Sequence, residues 1–242
     1  MPTEETPSIT HAIALQNEGF ASELGPTLWS VLAEVSSFYD MDEKTRARFD
    51  RKWVGRPQSP VEGVDPAHFI DVKLDTSWWH LLQRSGKLID QERLARQLRS
   101  EIPAEGNIIT ITDAEITPPP EWRYIIWESF DSGDAVISFA PLDPKYWGDP
   151  DPDRINTIKR RVRAALLGVT GSFLGLEECD NTRCFLYSNV DSVSVLDNMI
   201  AIGLEHDAPG LTGKVFSGKV DDTLGLESLD EAPTASLEYD PL

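Results

Sequence analysis

Six apolar residues, Ile155, Ile158, Val162, Leu166, Val169 and Phe173, recur at spacings of three and four. That period draws one continuous stripe along a helix of about five turns. A stripe of this length has to be buried, so the rest of the chain must pack around it. Its end is also legible. Gly175 follows the last apolar residue, and glycine favours the left-handed position that stops a helix. Upstream, Trp122–Phe130 and Asp134–Ala140 alternate like strands. Asp131-Ser132-Gly133 joins them with tight-turn chemistry, which predicts a hairpin. Asn107–Thr112 (NIITIT) is a further β-rich run.

The N-terminal half reads as helical. Proline suits a first helical turn, so a helix is expected to start near Gly25-Pro26 and to bury Leu28, Val31, Leu32, Val35 and Phe38. Asp42–Trp53 is a second, strongly charged amphipathic stretch. Asp75-Thr76-Ser77 offers a cap for a helix through Leu82, and Asp90–Leu98 gives another helical turn or more. Helices, a strand, a hairpin, a long helix and a loop-rich C-terminal part predict an α+β fold. A mixed twisted sheet is expected to pack on helices. The expected layout is a flexible N-terminus over residues 1–9, one domain over 10–219, and an acidic tail over 220–242.

Charge narrows the partners. The chain has 22 Lys plus Arg against 41 Asp plus Glu, a formal charge of −19. Sequence-independent nucleic-acid binding needs a basic surface, and anionic membranes repel an acidic one. Neither nucleic acid nor membrane is expected as a partner. Met1–Ile9 is polar and acidic, unlike a leader. Two Cys cannot make a disulfide framework, which predicts cytoplasmic residence. The one basic cluster is Lys159-Arg160-Arg161 with Arg163. It is expected to be a solvated face or to pair with the acidic tail, with an acidic partner as the sharper reading. Trp78-Trp79, Trp122, Trp127 and Trp147 read as core or sheet-edge aromatics.

The end of the long helix reads Gly168-Val169-Thr170-Gly171-Ser172-Phe173-Leu174-Gly175-Leu176-Glu177-Glu178-Cys179, continuing to Cys184. This resembles the archaemetzincins, zinc peptidases with the pattern HExxHxxGxxHC followed by xxxxCxM. Gly171, Leu174, Gly175, Leu176, Cys179 and Cys184 stand where that family has its Gly, its Leu-Gly-Leu and its first two cysteines. Ile109–Ile116, Tyr124–Ser129, Ala135–Leu142, Arg161-Val162 and Asp197 also have counterparts, so the resemblance spans about residues 107–197. It implies a metzincin-like fold.

The resemblance also locates what is missing. In the family, two His one turn apart and a third beyond the glycine bind zinc, and a Glu beside the first His is the general base. Those positions here hold Gly168, Ser172, Glu178 and Val169. The family's second zinc uses four cysteines, of which Cys179 and Cys184 match two. The Met-turn methionine is Leu186, an exchange that keeps packing volume. The expectation is therefore no catalytic residue, no metal and no cofactor: a degenerate peptidase homologue that binds a peptide or protein partner.

Trp127, Ser172 and Glu178 are the candidate cleft-binding residues. The small residues Gly168, Gly171, Ser172 and Gly175 invite close approach by another segment. Trp127 could fill the vacated site and seal it, or the groove could stay open and take a peptide by strand addition. Two other readings come from other classes. One is a hydrolase with a rebuilt site using Glu178, Ser172 and His206; the other is a purely structural subunit. His11, His68, His80 and His206 are scattered, with no shared spacing.

Overall fold

A computed structural model describes residues 8–15, 18–39, 49–55, 64–70, 88–89, 91–102, 104–116, 118 and 124–202. The expected helix near Asp75, the residues Trp78, Trp79, His80, Trp122 and His206, and the acidic tail lie outside them.

The described elements are β1 (Ile9–Ala14), α1 (Glu18–Tyr39), β2 (Phe49–Val54), β3 (Phe69–Ile70), β4 (Leu88–Ile89), α2 (Gln91–Glu101), β5 (Asn107–Thr112), β6 (Glu115–Ile116), β7 (Trp127–Ser129), β8 (Ala135–Ser138), α3 (Arg154–Phe173) and α4 (Val193–Asn198). Six strands form one sheet in the order β3-β2-β1-β5-β8-β7. Every neighbour pair is parallel except β7 with β8. This is the expected α+β fold with a mixed sheet packed on helices. The hairpin and the long helix stand where the sequence puts them.

The strand period of two sorts side chains onto the two faces. Ile9, Ile13, Ile109, Ile111, Ala135 and Ile137 face α1 and α3 and form the larger core. Ala12, Ala14, Ile108 and Val136 face α2, where Leu94, Ala95 and Leu98 cover them. On α3 the stripe residues Ile158, Val162 and Leu166 are fully buried.

Three expectations change. Helix α1 starts at Glu18, not near Gly25-Pro26, and Pro26 lies inside it. The apolar period extends back through Leu24 and Ala21, both buried, and this packing outweighs the missing proline N–H. The charged stretch before Trp53 ends as strand β2, not as helix. Phe49, Arg51 and Trp53 alternate on one side and pair with Ile9, His11 and Ile13 of β1. Strand β1 itself was not anticipated. It begins at the fully buried Ile9, inside the segment expected to be a flexible N-terminus.

Candidate functional site

The resemblance points to the C-terminal half of α3. The helix ends in a left-handed glycine: Gly175 has φ +81°. Its N–H donates to the Ser172 carbonyl at 3.0 Å, and the Leu176 N–H donates to the Gly171 carbonyl at 3.0 Å. These two bonds form the Schellman arrangement, which satisfies the last carbonyls and turns the chain back. The returning chain carries Glu177 and Glu178, both exposed, away from the helix.

The small-residue strip is closed at Gly168 and Gly171. A Cβ built at Gly168 would stand 2.6 Å from the Phe185 carbonyl oxygen, and among the described residues only Phe185 comes within 4 Å of it. A Cβ at Gly171 would stand 2.6 Å from both a Leu186 methyl and the Tyr39 hydroxyl. The strip is open at the exposed Ser172 and at Gly175, where no described residue comes within 4 Å of a built Cβ. At Gly168 the close contact is thus made by a backbone carbonyl. Trp127 is half-buried on β7 and packs on the edge of the larger core.

Tyr39 and Leu186 hold this closure. The Tyr39 hydroxyl donates to the Leu167 carbonyl at 2.5 Å. Burial, and then the neighbouring Cys184, push its ionisation far above the ordinary tyrosine value. Leu186 is 2% exposed, so the Met-turn position is filled by a core residue. The Cys184 thiol is buried and its sulfur accepts from the Leu186 N–H at 3.3 Å. Cys179 is partly exposed, and the two cysteines are not joined by a disulfide. Val169 is 3% exposed, while Ser172 is exposed.

Neighbouring Thr170 faces the sheet. Its hydroxyl lies 3.1 Å from His11 Nε2, and His11 is fully buried on β1. Burial, then the Arg51 charge, lower the His11 pKa from 6.5 to about 3, so the imidazole is neutral at pH 7. The available signal was its strand position two residues from Ile9 and from Ile13.

The basic cluster is paired within the domain. Arg161 Nε and Nη2 donate to the two oxygens of Asp197 at 2.9 and 2.7 Å, and Arg160 also reaches Asp197. Lys159 and Arg163 both bind Glu34 on α1. Burial pushes the Asp197 and Glu34 carboxyls up, but their cationic partners outweigh it and hold both below the ordinary range. Arg161 and Arg163 are thus largely buried in ion pairs, while Arg160 pairs and stays half exposed.

The chain is similar to solved structures. Archaemetzincin from Methanopyrus kandleri matches with a TM-score of 0.52 and 15% identity, over 82% of this chain and 90% of that one. The chain has the archaemetzincin fold. A zinc-dependent peptidase from Methanocorpusculum labreanum gives 0.48 and 16%, over 78% of this chain and 93% of that one. Archaemetzincin from Archaeoglobus fulgidus, complexed with malonate, gives 0.45 and 18%, over 79% and 92%. No protein-family model and no curated protein matches the sequence.

The residues present do not fit the zinc that the archaemetzincin resemblance implies. Zinc takes imidazole, thiolate or carboxylate ligands, and a catalytic site needs three from the protein. Gly168 has no side chain and no room for one. Val169 has no carboxylate, and Ser172 offers only a neutral hydroxyl. Glu178 is the single ordinary donor. Among the described residues no three His, Cys, Asp or Glu side chains converge to hold a metal ion.

Proposed function

We propose that this chain is a catalytically inactive peptidase homologue that binds a peptide or protein partner in place of cleaving it. The observation that carries the reading is the Phe185 carbonyl seated on Gly168. A position closed by backbone cannot regain a ligand through side-chain rearrangement. The buried Val169 removes the base from the same turn.

Strand β7 supplies the binding mode. It lies at one edge of the sheet, and among the described residues it pairs only with β8. The Phe130 N–H donates to Asp134 and the Ser138 N–H to Ile126, both at 2.8 Å. Antiparallel bonding alternates, so the backbone groups of Trp127 and Ser129 point along the open edge. An extended peptide laid there gains main-chain hydrogen bonds. Trp127, Ser172 and Glu178 are the side chains assigned to it, and Cys179 and Cys184 are packing residues. Cytoplasmic residence goes with two thiols kept reduced.

Elemental analysis of protein purified without a His tag tests the reading, together with turnover of a peptide mixture. The expected result is substoichiometric zinc and no cleavage. Stoichiometric zinc with zinc-dependent cleavage overturns the proposal.

A further inference from the structure

Among the described residues, two large hydrophobic side chains are exposed: Tyr146 at 38% and Trp147 at 45%. Trp147 was expected in the core or at a sheet edge. Instead it stands on the short 3-10 helix Pro144–Trp147, between the sheet and α3 in the chain. Tyr124 completes the group. Its ring lies 4.9 Å from Trp147 and at 71° to it; Tyr146 lies 4.8 Å away on its side, at 76°.

The polar tips of all three rings are tied down. Trp147 Nε1 donates to the Pro141 carbonyl at 2.9 Å, the Tyr146 hydroxyl donates to Glu115, and the Tyr124 hydroxyl donates to the Asp191 carbonyl at 3.2 Å. A surface aromatic cluster held by its own hydrogen bonds loses little freedom on binding. Trp and Tyr in such positions are the side chains that dominate interface energetics.

The surroundings select the sign of the partner. The turn continues from Trp147 into Gly148-Asp149-Pro150-Asp151-Pro152-Asp153. Asp149, Asp151, Asp153, Asp191 and Glu115 make no salt bridge with a described residue. Arg154 is already matched by Asp143 and Glu23, and Arg160 and Arg161 by Asp197. Among the described residues, Lys145 on the same 3-10 helix is the one local cation left beside these five carboxylates, so the surface stays net acidic. Ring faces are electron-rich, so aromatics among carboxylates attract a cation, and a guanidinium also stacks on them. The chain uses the same chemistry elsewhere, with the Arg51 guanidinium carbon 4.7 Å from the Trp29 ring centre.

We infer that Tyr124, Tyr146 and Trp147, with the acidic turn after them, form a docking surface for an arginine-bearing segment of a peptide partner. The inference rests on the binding reading above and names the partner's chemistry. Tyr124 lies three residues before β7, so a peptide on that edge strand has the cluster at one end of its path.

The test is titration of the full chain with a synthetic octapeptide alternating Arg and Gly, beside Glu-Gly and Leu-Gly versions. The expected result is binding of the Arg peptide alone, weakened by salt. Trp147→Ala is expected to weaken it about tenfold, and Tyr146→Ala by less. Asp149→Asn with Asp151→Asn weakens it several-fold and leaves the rings in place. Circular dichroism of each variant establishes that it is folded. Unchanged affinity in folded Trp147→Ala overturns the inference by reducing the binding to non-specific charge attraction. Equal binding of the Leu-Gly peptide overturns it too, as does a dimer in sedimentation that Trp147→Ala dissolves. Peptide cleavage by the parent chain is a separate result and refutes only the inactive-homologue reading.

Discussion

The two halves of α3 are held by different physics. From Arg154 to Ala165 the helix is fixed by directional charge pairs to three other segments: Asp143 in the preceding turn, Glu34 on α1 and Asp197 on α4. From Leu166 to Phe173 it carries no charge, and it is fixed by close approach, with the Phe185 carbonyl on Gly168 and Leu186 and Tyr39 on Gly171. In the family resembled, the second half is where chemistry happens. Here that half is held by close contacts at Gly168 and Gly171.

The largest effect that breaks this comparison belongs to the first half. Arg154 Nε and Nη2 bind the two Asp143 oxygens at 2.8 and 2.6 Å, and both side chains are buried. Removing one member of a buried pair strands the other, so Arg154→Met is expected to cost about 3–5 kcal/mol in urea unfolding. The pair also has a pH signature. Burial pushes the Asp143 carboxyl up, but the Arg154 hydrogen bonds outweigh that and hold it below the ordinary aspartate value. Its contribution is full above the ordinary value and is lost as pH falls through the depressed one; Arg154→Met lacks that acid limb.

Next comes the second half. Gly168→Ala normally gains helix propensity of about 0.8–1.0 kcal/mol. Here the new methyl meets the Phe185 carbonyl, so a net loss of about 1–3 kcal/mol is expected. Stabilisation by this substitution would show that the closure is not rigid. The same contact governs repair. With His at positions 168, 172 and 178 and Glu at 169, zinc is expected to stay substoichiometric by elemental analysis.

A smaller effect sharpens the link between this half and the sheet. His11 is buried neutral against Thr170, with its pKa lowered from 6.5 to about 3. Between those values the unfolded chain binds a proton that the folded chain does not, so stability falls as pH falls through that window. The slope is up to about 1.4 kcal/mol per pH unit, and His11→Asn removes it in urea curves taken across the range. The smallest effects are on exposed side chains. Arg160 is half exposed and shares Asp197 with Arg161, so Arg160→Ala is expected to change stability by less than about 1 kcal/mol.

How much of this was legible follows the reach of each interaction. Helix α3 could be read because its apolar spacing and its glycine stop are local signals. The hairpin could be read because its turn residues lie between its strands. Strand β1 was missed because ITHAIA places a polar Thr and a His among small residues. Its strand character comes from pairing with β2 and β5, far along the chain. Strand β2 was misread because its charges mask the alternation of Phe49, Arg51 and Trp53. At the site, the missing ligands were visible residue by residue through the family motif. What closes the position was not visible, since a backbone carbonyl carries no sequence signal. The pairing of the basic cluster was hidden for the same reason: Glu34 is more than a hundred positions from Arg163.

The place of β1 in the sheet has a consequence for how the chain is made. It is the first described strand to leave the ribosome, yet it ends up between two others. Its β5 side stays open until Asn107–Thr112 has been synthesised, so a long stretch of chain emerges while the backbone groups along that edge wait for a partner. Non-local parallel pairing of this kind is slow and leaves a strand edge available to other chains. The nascent protein is therefore most exposed to aggregation before β5 arrives. A product truncated ahead of Asn107 is expected to be insoluble, although it contains every residue of α1, β2 and β3.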